Sequence, residues 1–238
     1  MAVRSNRLLN ALSSDSRQQI LLVARNLELP QHTTLFQPDQ KPGFVYFLTS
    51  GIASMVVTAP EGGSAEIGMI GTEGIVGGFH LLGQQLPVSQ CVMQVSGSAL
   101  RVPMVEMRRF FAESEDIRSL VHQSLLQQAL TLGQIAGCNK LHQATERLAR
   151  WLLTAADRLG SETVGLTQEA VSQMLGTRRT TVALVAGELQ RASMIQYRRG
   201  TVHITNRERL EEAACDCYKV TRRLVDDLYP TPATPTLA

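Results

Sequence analysis

Arg178, Arg179, Thr180 and Thr181 stand in succession, and Arg198, Arg199 and Gly200 follow farther along the chain. A guanidinium can pair bidentately with guanine or clamp a phosphate, and a threonine can bond phosphate or touch a thymine methyl. Taken singly, such groups form a solvated charged surface. Their density argues for more: between residues 176 and 209, seven arginines (178, 179, 191, 198, 199, 207 and 209) face two glutamates (188 and 208), a local net charge of +5 in a chain whose total is +2.

The residues around them supply the elements to position these groups. Thr167 is a good N-cap, Glu169 suits the positive end of a helix, and Val171, Met174 and Leu175 form an apolar face that stops at Gly176. Thr177 is expected to cap a second helix, whose Val182, Val185 and Leu189 fall on one side while Thr180, Leu184 and Gly187 point away. Residues 194–197 and 201–204 are short β-prone runs joined by Arg198, Arg199 and Gly200. Two helices around a tight turn followed by a basic hairpin outline a winged helix-turn-helix, with the second helix entering the major groove of double-stranded DNA and the hairpin tip holding phosphate.

Other chemistry is less well supported. The four cysteines (91, 138, 215 and 217) are scattered and contain no CxxC pair. Cys215 and Cys217 could bind a soft metal or oxidise, but two thiols are an incomplete ligand set and successive helical positions diverge, so ordinary thiols and no metal are expected. Histidines 32, 80, 122, 142 and 203 are equally dispersed, with no HExxH and no partner for a nucleophile, so the chain is not expected to be an enzyme.

With 238 residues, 44% of them hydrophobic, the chain is long enough for two cores. No apolar run approaches a membrane span and the first residues lack a signal pattern, so a cytoplasmic protein with no membrane partner is expected. Residues 44–48, 52–58, 66–70 and 92–102 carry β signal between glycine-rich turns, which suggests a barrel or jelly roll. That half is nearly balanced in charge and has no electrostatic reason to hold nucleic acid. From residue 114 the period changes: Val121, Leu125, Gln128, Leu132 and Ile135 follow the 4-3-4-3 spacing of a helical seam, assigned here to a partner subunit, while a second stripe with Leu120, Leu126 and Leu130 is left to pack on the β-domain. A further helix over 144–159 places Leu148, Trp151, Leu152 and Ala155 on one face. The expected organisation is a mixed α+β chain: a β-roll over 1–113, a dimerisation helix over 114–138 and a winged helix-turn-helix over 139–238.

In this order the elements resemble the Crp/Fnr family of bacterial transcription regulators, which includes the cyclic-AMP receptor protein and the fumarate-nitrate regulator. The resemblance rests on YFLTSGIASMVV (46–57), the glycine-rich IGTEGIVGG (70–78) and, most specifically, LTQEAVSQMLGTRRTTV (166–182). It implies an N-terminal cyclic-nucleotide-binding-like jelly roll, DNA and RNA polymerase as partners, and Arg179 at the position of the family's base-reading arginine. Thr180 and Leu184 stand where many members have a base-reading glutamate and a second arginine, so the operator must differ from theirs. Thr167 and Thr181 match phosphate-contacting positions.

The sensor departs further from the family pattern. Gly77, Gly78, Phe79 and His80 occupy the phosphate-binding cassette, but no acid follows Phe79, and Val88 replaces the arginine that precedes the cassette serine, here Ser89. A cyclic phosphate without its bidentate partner forfeits a charge-assisted bond worth about 1.5–3 kcal/mol, which argues against cyclic AMP. An effector, if there is one, is expected to touch these residues together with Gln128 and Thr131. The N-terminal cysteine cluster of the oxygen-sensing branch is missing, so no iron-sulfur cluster is expected; haem through His80, Cys91 or His122 is the remaining cofactor, and a weaker reading than none. The leading reading is a homodimeric, sequence-specific transcription regulator. The alternative is a ligand-binding module that acts through a protein partner, and retained Arg178 and Arg179 favour DNA.

Overall fold

The computed structural model describes residues 5–229, and the side chain of Arg179 also lies outside the described part. Two helices that sequence periodicity did not single out begin it, α1 (Arg7–Ala11) and α2 (Ser14–Val23). Their N-caps Asn6 and Ser13 accept from the amides of Leu9 and Ser16, as short polar side chains do at helix starts.

Seven antiparallel strands follow: β1 (Arg25–Leu29), β2 (Thr34–Phe36), β3 (Phe44–Leu48), β4 (Ile52–Thr58), β5 (Ser64–Ile70), β6 (Gln90–Val95) and β7 (Gly97–Pro103). They make two sheets, ordered β1-β7-β3 and β2-β6-β4-β5, with β3 and β4 exactly over the expected 44–48 and 52–58. The single strand expected over 92–102 is instead two strands in different sheets. Its chain turns the corner at Ser96, where a Cβ on Gly97 would lie 2.1 Å from the carbonyl oxygen of Ser50 and one on Gly51 (φ +81°) 2.7 Å from that of Val95. Only glycine permits the two backbones to approach this closely.

After α3 (Met104–Glu113) comes the long helix α4 (Glu115–Leu141). Ser114 caps it, Glu115 and Asp116 sit in its first turn and Lys140 in its last, all in accord with the helix dipole. It ends a turn beyond the expected boundary at 138, so the hinge is His142 and Gln143.

The two stripes of α4 are largely the reverse of those expected, although Leu120 of the second stripe does pack, half-buried, on the core of the roll. Val121, Leu125, Gln128 and Ile135 are buried and Leu132 is half-buried within this chain, whereas Leu126 and Leu130 are 61% and 50% exposed. The reason is space on the roll: a Cβ on Gly68 would lie 2.7 Å from Leu132 and one on Gly78 2.9 Å from Leu125, so these glycines form the sockets that receive the two leucines. A 4-3-4-3 repeat shows that a stripe is covered and does not say by what.

The C-terminal half contains α5 (Ala144–Leu159), β8 (Thr163–Gly165), α6 (Gln168–Leu175), α7 (Arg179–Arg191), β9 (Ile195–Arg198), β10 (Thr201–Ile204), α8 (Arg207–Ala213) and α9 (Cys217–Leu228). Helix α5 spans the expected residues and starts with a capping box between Gln143 and Glu146. Trp151, Leu152, Val171, Val182, Leu189 and Val202 pack into one core, and Ile52 and Met69 of the roll join it. The two halves therefore share apolar packing.

Candidate nucleic-acid interface

The tight turn of the helix pair is made by Gly176, which ends α6 in the left-handed region (φ +59°). Thr167 caps α6, its Oγ1 accepting from the amide of Ala170 at 3.2 Å. Thr177 does not cap α7. The N-cap is Arg178, which makes no side-chain cap bond, and the Thr177 hydroxyl is buried with no hydrogen-bond partner among the described residues. The turn is held instead by the amide of Thr177 donating to the Ser172 carbonyl and by the Ser172 hydroxyl donating to the Thr177 carbonyl at 2.6 Å. The first amides of α7 thus lack a side-chain acceptor, as suits a helix end that meets an anion.

Val182, Val185 and Leu189 bury one face of α7, and Thr145 of α5 donates to Glu188 at 2.7 Å to fix the helix from behind. The opposite face presents Arg178, Thr180 and Leu184 to solvent, Leu184 at 66% exposure, with Thr181 half-buried at its side. Arg179 opens α7; its side chain lies outside the described residues.

Strands β9 and β10 pair antiparallel through Ile195–Ile204 and Arg198–Thr201, so Arg199 and Gly200 form a two-residue turn, both at positive φ (+47° and +76°). That is the turn whose twist matches a hairpin, and it leaves Arg198 and Arg199 exposed. The wing is anchored beside the start of α6: Leu166 donates to the Gly200 carbonyl at 2.8 Å, and the Tyr197 hydroxyl donates to the Leu166 carbonyl at 2.9 Å. Thr167, the exposed residues of α7 and the wing tip therefore belong to one rigid unit.

One arginine of the basic count is not available to DNA. Arg207 is bound by Asp157, Glu162 and Glu211, and its Nη2 also meets the Tyr218 hydroxyl at 2.8 Å; burial alone would lower its pKa, but Asp157, Glu162 and Tyr218 together raise it. It buttresses α5 against α8.

Two segments match known domain families. Residues 26–114 match the cyclic nucleotide-binding domain and residues 146–213 the Crp-like helix-turn-helix domain. The chain belongs to the Crp/Fnr family of transcription regulators. Solved structures share this fold. A regulator of the crp/fnr family from Eubacterium rectale superposes with a TM-score of 0.68 at 13% identity, covering 87% of this chain and 96% of that one. FixK2 from Bradyrhizobium japonicum gives 0.69 at 15% (81% and 98%), and the c-di-GMP responsive regulator CLP of Xanthomonas campestris 0.66 at 17% (81% and 99%). No curated protein matches. This Crp/Fnr chain has no helix long and apolar enough to cross a membrane among its described residues.

The residues expected to line an effector pocket lie in different local surroundings. Gly77 and Gly78 open a short 3-10 turn (Gly78–Leu81), Phe79 and His80 are half-buried beside it, and Val88 is 84% exposed to solvent while Ser89 is buried. Burial lowers the His80 pKa, and its ring meets Phe36 edge-on. Gln128 donates to the Ile75 carbonyl and Thr131 accepts from Gln127; both line a crevice of only 10 Å³, about one water. Leu125 and Leu132 occupy the space between roll and helix. Of the groups considered for haem, Cys91 is buried in the roll, with its thiol pKa pushed up, and His122 is exposed on α4.

Two features were not found in the sequence. A 320 Å³ cavity lies between the roll, α4, α5 and α9, with Arg7, Glu73, Arg150, Arg158, Tyr218 and Arg222 in its wall. Cys138, His142, Cys215 and Cys217 converge, with their ligand atoms all within 4.8 Å of one another. The expectation of dispersed thiols treated Cys215 and Cys217 as one helix, but α9 begins at Cys217 and Cys215 precedes it in non-helical chain, so the thiols meet. The remaining ligands come from the last turn of α4, a proximity that only the tertiary fold creates.

Proposed function

We propose that the chain acts as a homodimer that binds specific duplex DNA through α7 and the wing, and that its β-roll biases the placement of the two recognition helices. The observation that carries the reading is that Arg178, Thr180 and Leu184 of α7 and Arg198 and Arg199 of the wing are all exposed on elements packed on one buried core. The second copy is assigned to the outer face of α4, where Leu126 and Leu130 are exposed and Ala129, Gly133 and Ala136 keep the surface low enough for close helix approach. Two copies of a short recognition helix read two half-sites about one DNA turn apart.

Coupling between the halves runs through contacts at their junction. Trp151 donates to Glu66 of β5 at 2.8 Å, Arg158 binds Glu73 at 2.6 Å, and Gly176 of the helix-turn-helix turn lies against Ala65 of the β4–β5 hairpin. A ligand or modification that shifts β5 or its turn would act on the recognition unit directly. Cyclic AMP is not the effector in this reading, since Val88 offers no charge and Leu125 and Leu132 fill the pocket. Contact with RNA polymerase follows from the family and decides activation. Selection of bound sequences from a random duplex pool, followed by sedimentation of the complex, tests the proposal: an enriched two-fold site held by two chains is expected, and no enrichment would refute it.

A further inference from the structure

Cys138 lies in the last turn of α4, and His142, four residues on, is the C-cap of that helix, its amide donating to the Cys138 carbonyl. Cys215 and Cys217 flank Asp216 at the start of α9 and face them. The Cys138 and Cys215 sulfurs are 3.5 Å apart, and Cys217 Sγ is 3.6 Å from His142 Nδ1. A tetrahedral ion with metal-sulfur bonds of about 2.3 Å and metal-nitrogen bonds of about 2.0–2.1 Å places adjacent ligand atoms about 3.5–3.8 Å apart. A disulfide needs about 2.05 Å. An iron-sulfur cluster distributes its thiolates over several irons and so spreads them farther than one ion does.

We propose that Cys138, His142, Cys215 and Cys217 form a tetrahedral site for one soft divalent cation of the zinc class. Two surrounding groups fit this. Gln134 Nε2 donates to Cys217 Sγ at 3.0 Å, the kind of outer contact that orients a thiolate ligand. Buried Arg150, whose Nε has no hydrogen-bond partner among the described residues, acts electrostatically on Cys138 and Cys215, and its charge offsets the single negative charge that three thiolates and a divalent ion leave in the interior. Binding releases the three thiol protons to solvent and leaves His142 neutral, with no change of oxidation state. All four residues lie outside the two matched family segments, which end at 114 and resume at 146, then end again at 213.

The site straddles the hinge. It ties the end of α4 to the start of α9, across the chain's passage from the long helix into the DNA-binding half, and so fixes how that half hangs from α4. The consequence for DNA rests on the reading above; the site itself does not.

The test is metal analysis of the full-length chain purified under reducing conditions without chelator, then repeated after replacement with Co²⁺. About one zinc per chain is expected, with thiolate-to-cobalt charge transfer and tetrahedral d–d bands in the Co²⁺ form. Cys138→Ser, Cys215→Ser and Cys217→Ser should each lose the metal, His142→Ala should bind it more weakly, and Cys91→Ala should keep it. The Co²⁺ spectrum of the unaltered chain decides the matter should a cysteine variant fail to fold. Absence of zinc after reconstitution, iron at the same ligands, or a Cys138–Cys215 disulfide trapped by alkylation at lysis would each overturn the assignment. Metal content is read without DNA, so its failure and failure of DNA binding are separate results.

Discussion

The indole Nε1 of Trp151, on the first helix of the DNA-binding half, donates a 2.8 Å hydrogen bond to the buried carboxylate of Glu66 on β5 of the roll. Ser54 donates to the other oxygen at 2.5 Å, and Arg150 and Arg158 bear on the same carboxylate electrostatically. A shared apolar core could in principle slide; a bonded carboxylate at its centre fixes register between the halves.

That contact has a pH signature. Burial raises the Glu66 pKa above its ordinary 4.5, against the opposing pull of Ser54, Trp151, Arg150 and Arg158. The stability this group confers is therefore present below the ordinary value and is lost as pH rises through the raised folded value. Glu66→Gln keeps an acceptor for Trp151 and cannot ionise, so denaturant unfolding should find it at least as stable as the parent at neutral pH, with a flatter stability curve above 4.5. Trp151→Phe leaves a Glu66 oxygen without its donor and should cost about 1–3 kcal/mol. Parallel pH curves for the parent and the glutamine variant would rule out the burial penalty.

On the proposed reading, the recognition surface should divide into two roles. Arg179→Ala should relax base preference at a cost of about 1–3 kcal/mol on the selected site, while Arg199→Ala at the wing tip should weaken all sequences about equally and lower the salt dependence. Competition binding against single-base variants of the site separates these outcomes. A wing variant that alters base preference while the Arg179 variant does not would reverse the assignment.

The faces of α4 predict opposite failures. Leu126→Glu or Leu130→Glu, on the exposed face, should give folded monomers with little DNA affinity. Leu125→Glu places a charge in the socket beside Gly78 and should destabilise the roll itself. Sedimentation with circular dichroism distinguishes them, and intact dimers of the Leu126 and Leu130 variants would move the interface elsewhere.

The pocket prediction concerns cyclic AMP. Calorimetry on purified dimer should detect no submillimolar binding of cyclic AMP or cyclic GMP, since Val88 is solvent-exposed and Leu132 sits in the Gly68 socket. Binding of either would show that the helix yields and that another group meets the phosphate.

Much of this was legible locally. A cap at Thr167, the glycine stop at 176, 3.6-residue stripes on α5 to α7 and the continuous β-prone apolar runs of β3 and β4 are properties of short windows, and they placed those elements closely. Three things were not legible. The strands Arg25–Leu29 and Thr34–Phe36 are short edge pieces without an apolar run. The covered stripe of α4 depended on sockets at Gly68 and Gly78, far away in sequence. The Cys138, His142, Cys215 and Cys217 cluster unites two ends of a domain whose separate parts each look like incomplete ligand sets.

The central claim is that α7 and the wing read duplex DNA specifically, and a mobility-shift titration over a range of salt, comparing the selected duplex with a scrambled one, tests it most directly. The account predicts that the selected site binds at least about 10³-fold more tightly and that log affinity falls linearly with log salt as phosphate contacts release counterions. Equal affinity for the two duplexes at every salt concentration would contradict it.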